Sequence, residues 1–503
     1  MRDEEYDALD AVAMAAAVAR GETRPAELLD IALRRTAQWN PTINAVVQMM
    51  TAQAIRRAAS PLSGPLAGVP FLLKDLYQDY EGVSTSAGNR DLARIPAPVH
   101  ATVVHRWLDA GLVVFGKTNT SEFGAKAVTE TDLFGPARNP WNPDRTPGGS
   151  SGGAAAAVAA GIVPVAAATD GGGSIRIPAA CCGLFGLKPG RGLVPAGPDR
   201  AELLHGSATH GVISRSVRDT AAMLDAVSGP DSVPPYPTTI HPDRLLDQVG
   251  RDPGQLRIGW HLDSILGSPP SSDAVAAVHD AATLLEELGH DVEPADITLY
   301  DADSAADFLI PFLVDLAAEV ASARTRSALG AVELETRAAA AIGASVPAPR
   351  YAQIMDRRHH YRRRLATAHR RYDLLLTPTV ARAPIPIGSS AGSALERAGI
   401  RTLSALGGAG LLHRLGGFER VARRQLAWSP YTQLANMTGA PAASVPLYWT
   451  DTGLPLGVQF IAPPAGEAIL LSLAAQLENA RPWFNRRPPS TAPTSRETTE
   501  TIH

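Results

Sequence analysis

Two glycine-cradled serine clusters stand close together in the chain: Gly148-Gly149-Ser150-Ser151-Gly152-Gly153 and Asp170-Gly171-Gly172-Gly173-Ser174-Ile175-Arg176, joined by a run of small apolar residues. A serine hydroxyl attacks a carbonyl carbon only after a base has taken its proton. Glycines beside it can supply uncovered backbone N–H groups for the resulting oxyanion, because they permit positive φ and carry no side chain over their amides. The first cluster fits the Gly-x-Ser-x-Gly pattern of a nucleophile elbow, which needs a buried strand running straight into the serine. RNPWNPDRTPGG (Arg138 to Gly149) holds three prolines and no apolar run, so no central strand precedes Ser150. The second cluster follows GIVPVAAATD (Gly161 to Asp170), which reads as a strand, and DGGG is a bend whose amides can turn inward. Ser174 is therefore the candidate nucleophile.

Thirteen histidines are present, but none lies in a glycine-rich or strand-end setting near either cluster. His205 and His210, the nearest downstream, read as surface or packing residues. Serine–lysine chemistry is the alternative, and Lys74 at the end of the apolar run GVPFLLK is its candidate base. A lysine in a dry site is driven toward the neutral amine, since burial disfavours its charged form. Its position alone suits a surface charge at a strand end equally well.

The elements that must position these residues are those of an α/β protein. From Tyr6 to Ala59 the pattern is helical, with Leu28, Leu29, Ile31 and Ala32 on one face. GVPFLLKDL (Gly68 to Leu76), GLVVFGKTN (Gly111 to Asn119) and GIVPVAAATD read as short buried strands. LRIGWHLD (Leu256 to Asp263), a helix over Asp273 to Leu288 and HDVEPAD (His290 to Asp296) form a further unit. YDLLLTPTV (Tyr372 to Val380), AASVPLYW (Ala442 to Trp449) and PLGVQFIA (Pro455 to Ala462) supply late strands. This predicts one large mixed sheet built from both halves of the chain and covered by helices on both faces. The domain spans 1–487: an N-terminal helical layer (1–60), a core (66–225), a variable region (228–366) and a glycine-rich excursion (387–417) that is a lid or a surface insertion. A polar tail follows over 488–503 and is expected to be disordered. RRHHYRRRLATAHRRYD (Arg357 to Asp373) reads as a solvated helix face rather than a phosphate site.

Composition narrows the function. The 503 residues carry 46 Lys plus Arg against 50 Asp plus Glu, so no basic field favours nucleic acid or an anionic membrane. Adjacent Cys181 and Cys182 suit neither a disulfide framework nor a metal pair. An acidic start and the lack of any run of about 18 apolar residues argue against a signal peptide or a membrane span and for the cytoplasm.

GGSSGG followed by DGGGSIRIPA, with GVPFLLKD upstream and CGLFGLKP (Cys182 to Pro189) downstream, resembles the amidase signature family. The likeness runs through RNPWNP (Arg138 to Pro143) and LLTPT (Leu375 to Thr379) to RPWFNRRP (Arg481 to Pro488). It implies that Ser150, beside a cis peptide bond, relays the proton from Ser174 to a neutral Lys74. Gly171, Gly172, Gly173 and Ser174 would offer backbone N–H groups to the oxyanion, and Ser151, Asp170 and Arg176 would brace the loops. It further implies hydrolysis of a carboxylic amide through an acyl-enzyme, a small-molecule amide substrate, no cofactor or metal, and a homodimer as a common family habit. Cys182 matches a frequent family cysteine and reads as packing. Gly171 stands where the family often has a side chain, a departure expected to widen the floor of the site or loosen the oxyanion loop. Ser429, within SPYTQLANMTGAP (Ser429 to Pro441), stands where the A subunit of glutamyl-tRNA amidotransferase usually has an aspartate. The chain thus looks most like stand-alone bacterial amidases, including the cyclic-dimer hydrolases. The alternatives are such an A-type glutaminase subunit and a non-catalytic binding protein on this fold.

Overall fold

The short apolar runs of the sequence become strands because each can be buried on both sides by packed layers. A computed structural model describes residues 1–235, 243–326, 332–390 and 426–489; the excursion beyond 390 and the tail beyond 489 lie outside the described residues. Thirteen strands are described: β1 (Val46–Met49), β2 (Pro70–Lys74), β3 (Val113–Thr118), β4 (Glu130–Thr131), β5 (Gly135–Pro136), β6 (Val165–Asp170), β7 (Phe185–Lys188), β8 (Thr209–Ser214), β9 (Arg257–Trp260), β10 (Asp291–Pro294), β11 (Leu374–Pro378), β12 (Ala442–Trp449) and β13 (Pro455–Ile461). Eight of them form a mixed sheet in the order β10-β9-β11-β13-β12-β7-β8-β6. The β10–β9 and β9–β11 pairs are parallel and the rest antiparallel. Every residue of β6, β11 and β13 is buried, as expected of strands with both faces covered.

The single sheet expected from the sequence is corrected in one respect. GVPFLLKDL and GLVVFGKTN join β1 in a separate three-stranded sheet, β1-β3-β2. β1 itself lies inside a stretch that reads as wholly helical. The helix Pro25–Ile43 stops because Asn44 takes the left-handed conformation at φ 46°, which frees Val46 onward to pair with β3.

The alanine-rich segment between the serine clusters is the helix Gly152–Ala159, all of whose residues are buried. Its small side chains allow close approach: a Cβ on Gly153 would lie 2.4 Å from Asn119 N and 2.5 Å from Ala45 O. The helix thereby wedges the small sheet against the large one. At that joint Gln78 Oε1 accepts from the Lys74 N–H at 2.6 Å, and Gln78 Nε2 donates to Ala168 O at 3.2 Å, tying β2 to β6. The arginine-rich segment lies on the helix Ala348–Ala368 and just beyond it, where Arg357, Arg364 and Arg371 pair with Asp307, Asp301 and Glu293. Among the described residues no helix is long and apolar enough to cross a membrane.

Candidate active site

The first serine cluster is locked by packing. The Gly149–Ser150 peptide bond is cis, and a Cβ on Gly149 would stand 2.6 Å from Val128 C. Thr129 Oγ1 lies 3.0 Å from Gly148 O and 3.2 Å from Ser150 O, and accepts from the Gly152 N–H at 2.9 Å. Ser150, only 2% exposed, is the neighbour of Lys74. Lys74 Nζ lies 2.8 Å from Ser150 Oγ and 2.8 Å from Thr169 Oγ1. Ser151 Oγ contacts both ends of the Thr169 main chain, 3.3 Å from its O and 3.4 Å from its N, and so steadies the residue beside the lysine. Gly124, at φ 69°, leaves room above Ser150: a Cβ there would be 3.3 Å from Ser150 Oγ and 2.8 Å from Leu76 Cδ2.

The second cluster hangs from one carboxylate. Asp170, at the end of β6, accepts from the N–H groups of Gly173 (2.8 Å) and Ile175 (3.2 Å) and from Arg176 Nε and Nη2, both at 2.9 Å. The remaining Arg176 donors reach Thr432 O, Gln459 Oε1 and Asn436 Oδ1, so all five guanidinium N–H groups are used. Gly173, at φ 122°, is packed so closely that a Cβ would stand 2.4 Å from Thr432 Oγ1. Ser174, between this bend and the helix Arg176–Cys182, stays partly open to solvent.

Burial and charge set the protonation states. Burial pushes Lys74 down to about 7, against a weaker opposing pull from Asp170, so a neutral amine is present near neutral pH. Burial alone would raise Asp170, but the charge and hydrogen bonds of Arg176, then Asn436, outweigh it and hold the carboxyl well below the usual range. Cys182 is buried, with its thiol pushed well above the ordinary value, and lies 3.6 Å from Pro147 O. It is a packing residue in the protonated form. RNPWN closes over the same helix, with Asn139 Nδ2 and Trp141 Nε1 donating to Cys181 O and Cys182 O.

Lys74, Ser150 and Ser151 thus meet at the β2–β6 joint, while Asp170 and Arg176 carry the loop that bears Ser174. One expectation is corrected. The Gly173 N–H donates to Asp170 rather than into the site, because the DGGG bend folds it back onto the aspartate side chain. Gly171 does not open free space, since Ala208 Cβ stands 3.2 Å from where its own Cβ would be. His210 is buried opposite Thr169 on β8, and burial pushes it down to about 3, leaving it neutral. His205 lies 3.4 Å from Asp315. Sequence reasoning missed Thr169, Gln78, Thr432, Gln433, Asn436 and Gln459. The one available signal was polarity inside apolar runs, as with Thr169 in VAAATD and Gln459 in PLGVQFI.

Known proteins resemble the chain along nearly its whole length. The Amidase family model matches residues 27–471. The 6-aminohexanoate-cyclic-dimer hydrolase of Paenarthrobacter ureafaciens is 36% identical over 495 residues, covering 95% of this chain and 96% of that one. A putative amidase, AmiB2, of Mycobacterium tuberculosis is 37% identical over 490 residues, covering 95% and 97%. Among solved structures, a 6-aminohexanoate cyclic dimer hydrolase complexed with substrate superposes with a TM-score of 0.86 at 35% identity, over 95% of this chain and 98% of its own. With this extent of likeness and this pair of serine loops, the chain belongs to the amidase signature family of hydrolases that act on amides.

Proposed function

We propose that the protein hydrolyses a carboxylic amide through a Ser174–Ser150–Lys74 relay and an acyl-enzyme. The observation that carries this reading is the buried Lys74 amine, 2.8 Å from Ser150 Oγ and titrating at about 7. Neutral Lys74 accepts the proton of Ser150 while Ser150 accepts that of Ser174, and Ser174 Oγ attacks the carbonyl carbon. The developing oxyanion is met by the N–H groups of Gly171, Gly172 and Ser174. Collapse breaks the C–N bond, and the proton returns through Ser150 to the departing amine. Water then adds to the acyl carbon, giving its proton to the same relay, and the acid leaves.

The substrate is a small amide, linear or cyclic. Ser429 favours this over a glutaminase subunit, because its side chain is an uncharged hydroxymethyl group where a carboxylate would be needed to grip glutamine. Reaction with a fluorophosphonate followed by peptide mass spectrometry tests the assignment. An adduct on Ser174 that weakens in Lys74→Ala supports the relay; an adduct on Ser150 or Ser151 would overturn it.

A further inference from the structure

The glycine loop is a mechanical weak point. Gly172 and Gly173 are joined by a peptide unit that can rotate at little steric cost, since neither residue has a Cβ to forbid the alternative φ and ψ. A half-turn would exchange its two ends, facing the Gly172 carbonyl toward the Asp170 carboxylate and withdrawing the Gly173 N–H from it. It would also redirect the chain into Ser174.

In the structure that unit is held at both ends. Its N–H, on Gly173, donates to Asp170 Oδ1 at 2.8 Å. Its carbonyl, on Gly172, receives two hydrogen bonds, from Thr432 Oγ1 at 2.6 Å and from Gln433 Nε2 at 3.2 Å. Gln433 uses its other amide hydrogen on Ser429 O at 2.6 Å. With two carbonyls facing it, the amide has to present its nitrogen there. Its own Oε1 is left buried and unpartnered among the described residues. A buried acceptor without a partner forfeits the hydrogen bond that water gives it in the unfolded chain. The orientation therefore favours the Gly172 carbonyl over the satisfaction of the glutamine itself, which is unexpected of a residue present only to fill the core.

We infer that Thr432 and Gln433 are positioning residues for the reaction: by holding the Gly172 carbonyl they fix the peptide unit, and with it the backbone that aims the Gly172 and Ser174 N–H groups. This rests on Ser174 being the nucleophile. It acts through the backbone, so neither side chain need touch substrate. The clamp should act on the transition state and hardly on the bound substrate, so its loss lowers kcat with little change in KM.

The experiment compares isosteric pairs in the full chain. Thr432→Val removes the hydroxyl and Thr432→Ser keeps it; Gln433→Leu removes the donors together with the unpartnered oxygen. We expect Thr432→Val and Gln433→Leu each to lower kcat roughly 10-fold, less than the 100-fold or more of losing an oxyanion donor outright. KM should stay within about twofold, and Thr432→Ser should recover most of the rate. Gln433→Leu exchanges its own unsatisfied acceptor for an orphaned Ser429 carbonyl, so its unfolding temperature should change little. A purely structural role predicts the reverse, a lower unfolding temperature with kcat unchanged, and would overturn the clamp. Fluorophosphonate labelling of the unmodified protein separates the two readings. Failure of Ser174 to label sinks the nucleophile assignment. Normal labelling of Ser174, with variants that label and turn over at the parental rate, sinks the clamp alone.

Discussion

The two serine loops solve different mechanical problems. The Gly149–Ser150 loop is held by volume: Val128, Thr129 and Asn119 occupy the places where side chains on Gly149, Gly152 and Gly153 would go. The Gly171–Ser174 loop is held by hydrogen bonds on one side, from Asp170, Thr432 and Gln433, and stays partly open on the other. A proton shuttle needs fixed distances and no solvent. A nucleophile needs a fixed backbone and an approach for the substrate. Close packing supplies the first, and a one-sided polar brace supplies the second.

The largest effects should come from breaking the proposed division of labour between the serines. Ser174→Ala should lower amide turnover on the order of 10⁴-fold or more, as removal of a nucleophile from an interdependent set does. Ser150→Ala, removing the shuttle, should cost on the order of 10²- to 10⁴-fold. Steady-state rates on an amide panel check both, and equal losses in both would argue against a hierarchy between the two serines.

Next comes the brace. Arg176→Met leaves Asp170 buried without its charge partner, which should cost about 3–5 kcal/mol of stability. Denaturant midpoints measure this; a loss below about 1 kcal/mol would mean that Asn436 and the backbone donors suffice. The same small addition to each glycine run then sharpens the contrast. Gly153→Ala forces a methyl against main-chain atoms of Asn119 and Ala45 and should cost at least about 1–3 kcal/mol. Gly171→Ala is tight only against the side-chain atom Ala208 Cβ, at 3.2 Å, with Leu204 Cδ1 and Ala208 Cα at ordinary contact distance, and should cost less than about 1 kcal/mol, with kcat nearly unchanged. Thermal unfolding of the pair is the measurement, and equal shifts would erase the distinction drawn here.

Between those two lies the pH response. In the proposed relay the active amine is the neutral form, so kcat/KM should rise with pH through an apparent pKa of about 7. At pH 6 roughly a tenth of the protein would carry neutral Lys74, against nine-tenths at pH 8, a difference near 1.4 kcal/mol. For stability the sign runs the same way: the folded pKa lies below the ordinary 10.5, so the unfolded chain binds more protons between about 7 and 10.5 and this group's contribution improves as pH rises through that window. A rate profile flat from pH 6 to 8 would remove Lys74 from the role of base.

Much of this was legible in the residues and some was not. β6, β11 and β13 followed the short apolar runs, because a strand buried on both faces tends to be written in apolar residues. β1 was hidden because four residues after a helix carry no period of their own, and only pairing with β3 makes them a strand. β7 and β8 escaped notice for a similar reason, being rich in glycine and polar residues that gain strand geometry from their neighbours. The serines and Lys74 could be picked out since their chemistry needs those residue types in those settings. Thr169, Thr432 and Gln433 could not, as a threonine or glutamine in an apolar run has no signature until its partner is known.

Residue type and local pattern were enough to specify the chemistry on offer: two glycine-cradled serines, a lysine at the end of an apolar run, and an aspartate and arginine flanking the second serine. Local rules suffice there, because glycine content, side-chain type and apolar periodicity act over a few residues. It took the packing of distant segments to bury Lys74 so that it is pushed down to about 7, to give the Gly173 N–H to Asp170, and to bring Thr432 and Gln433 back across the chain to the Gly172 carbonyl. Desolvation and long-range hydrogen bonds depend on which distant segments close over a residue, and no local stretch of sequence specifies that.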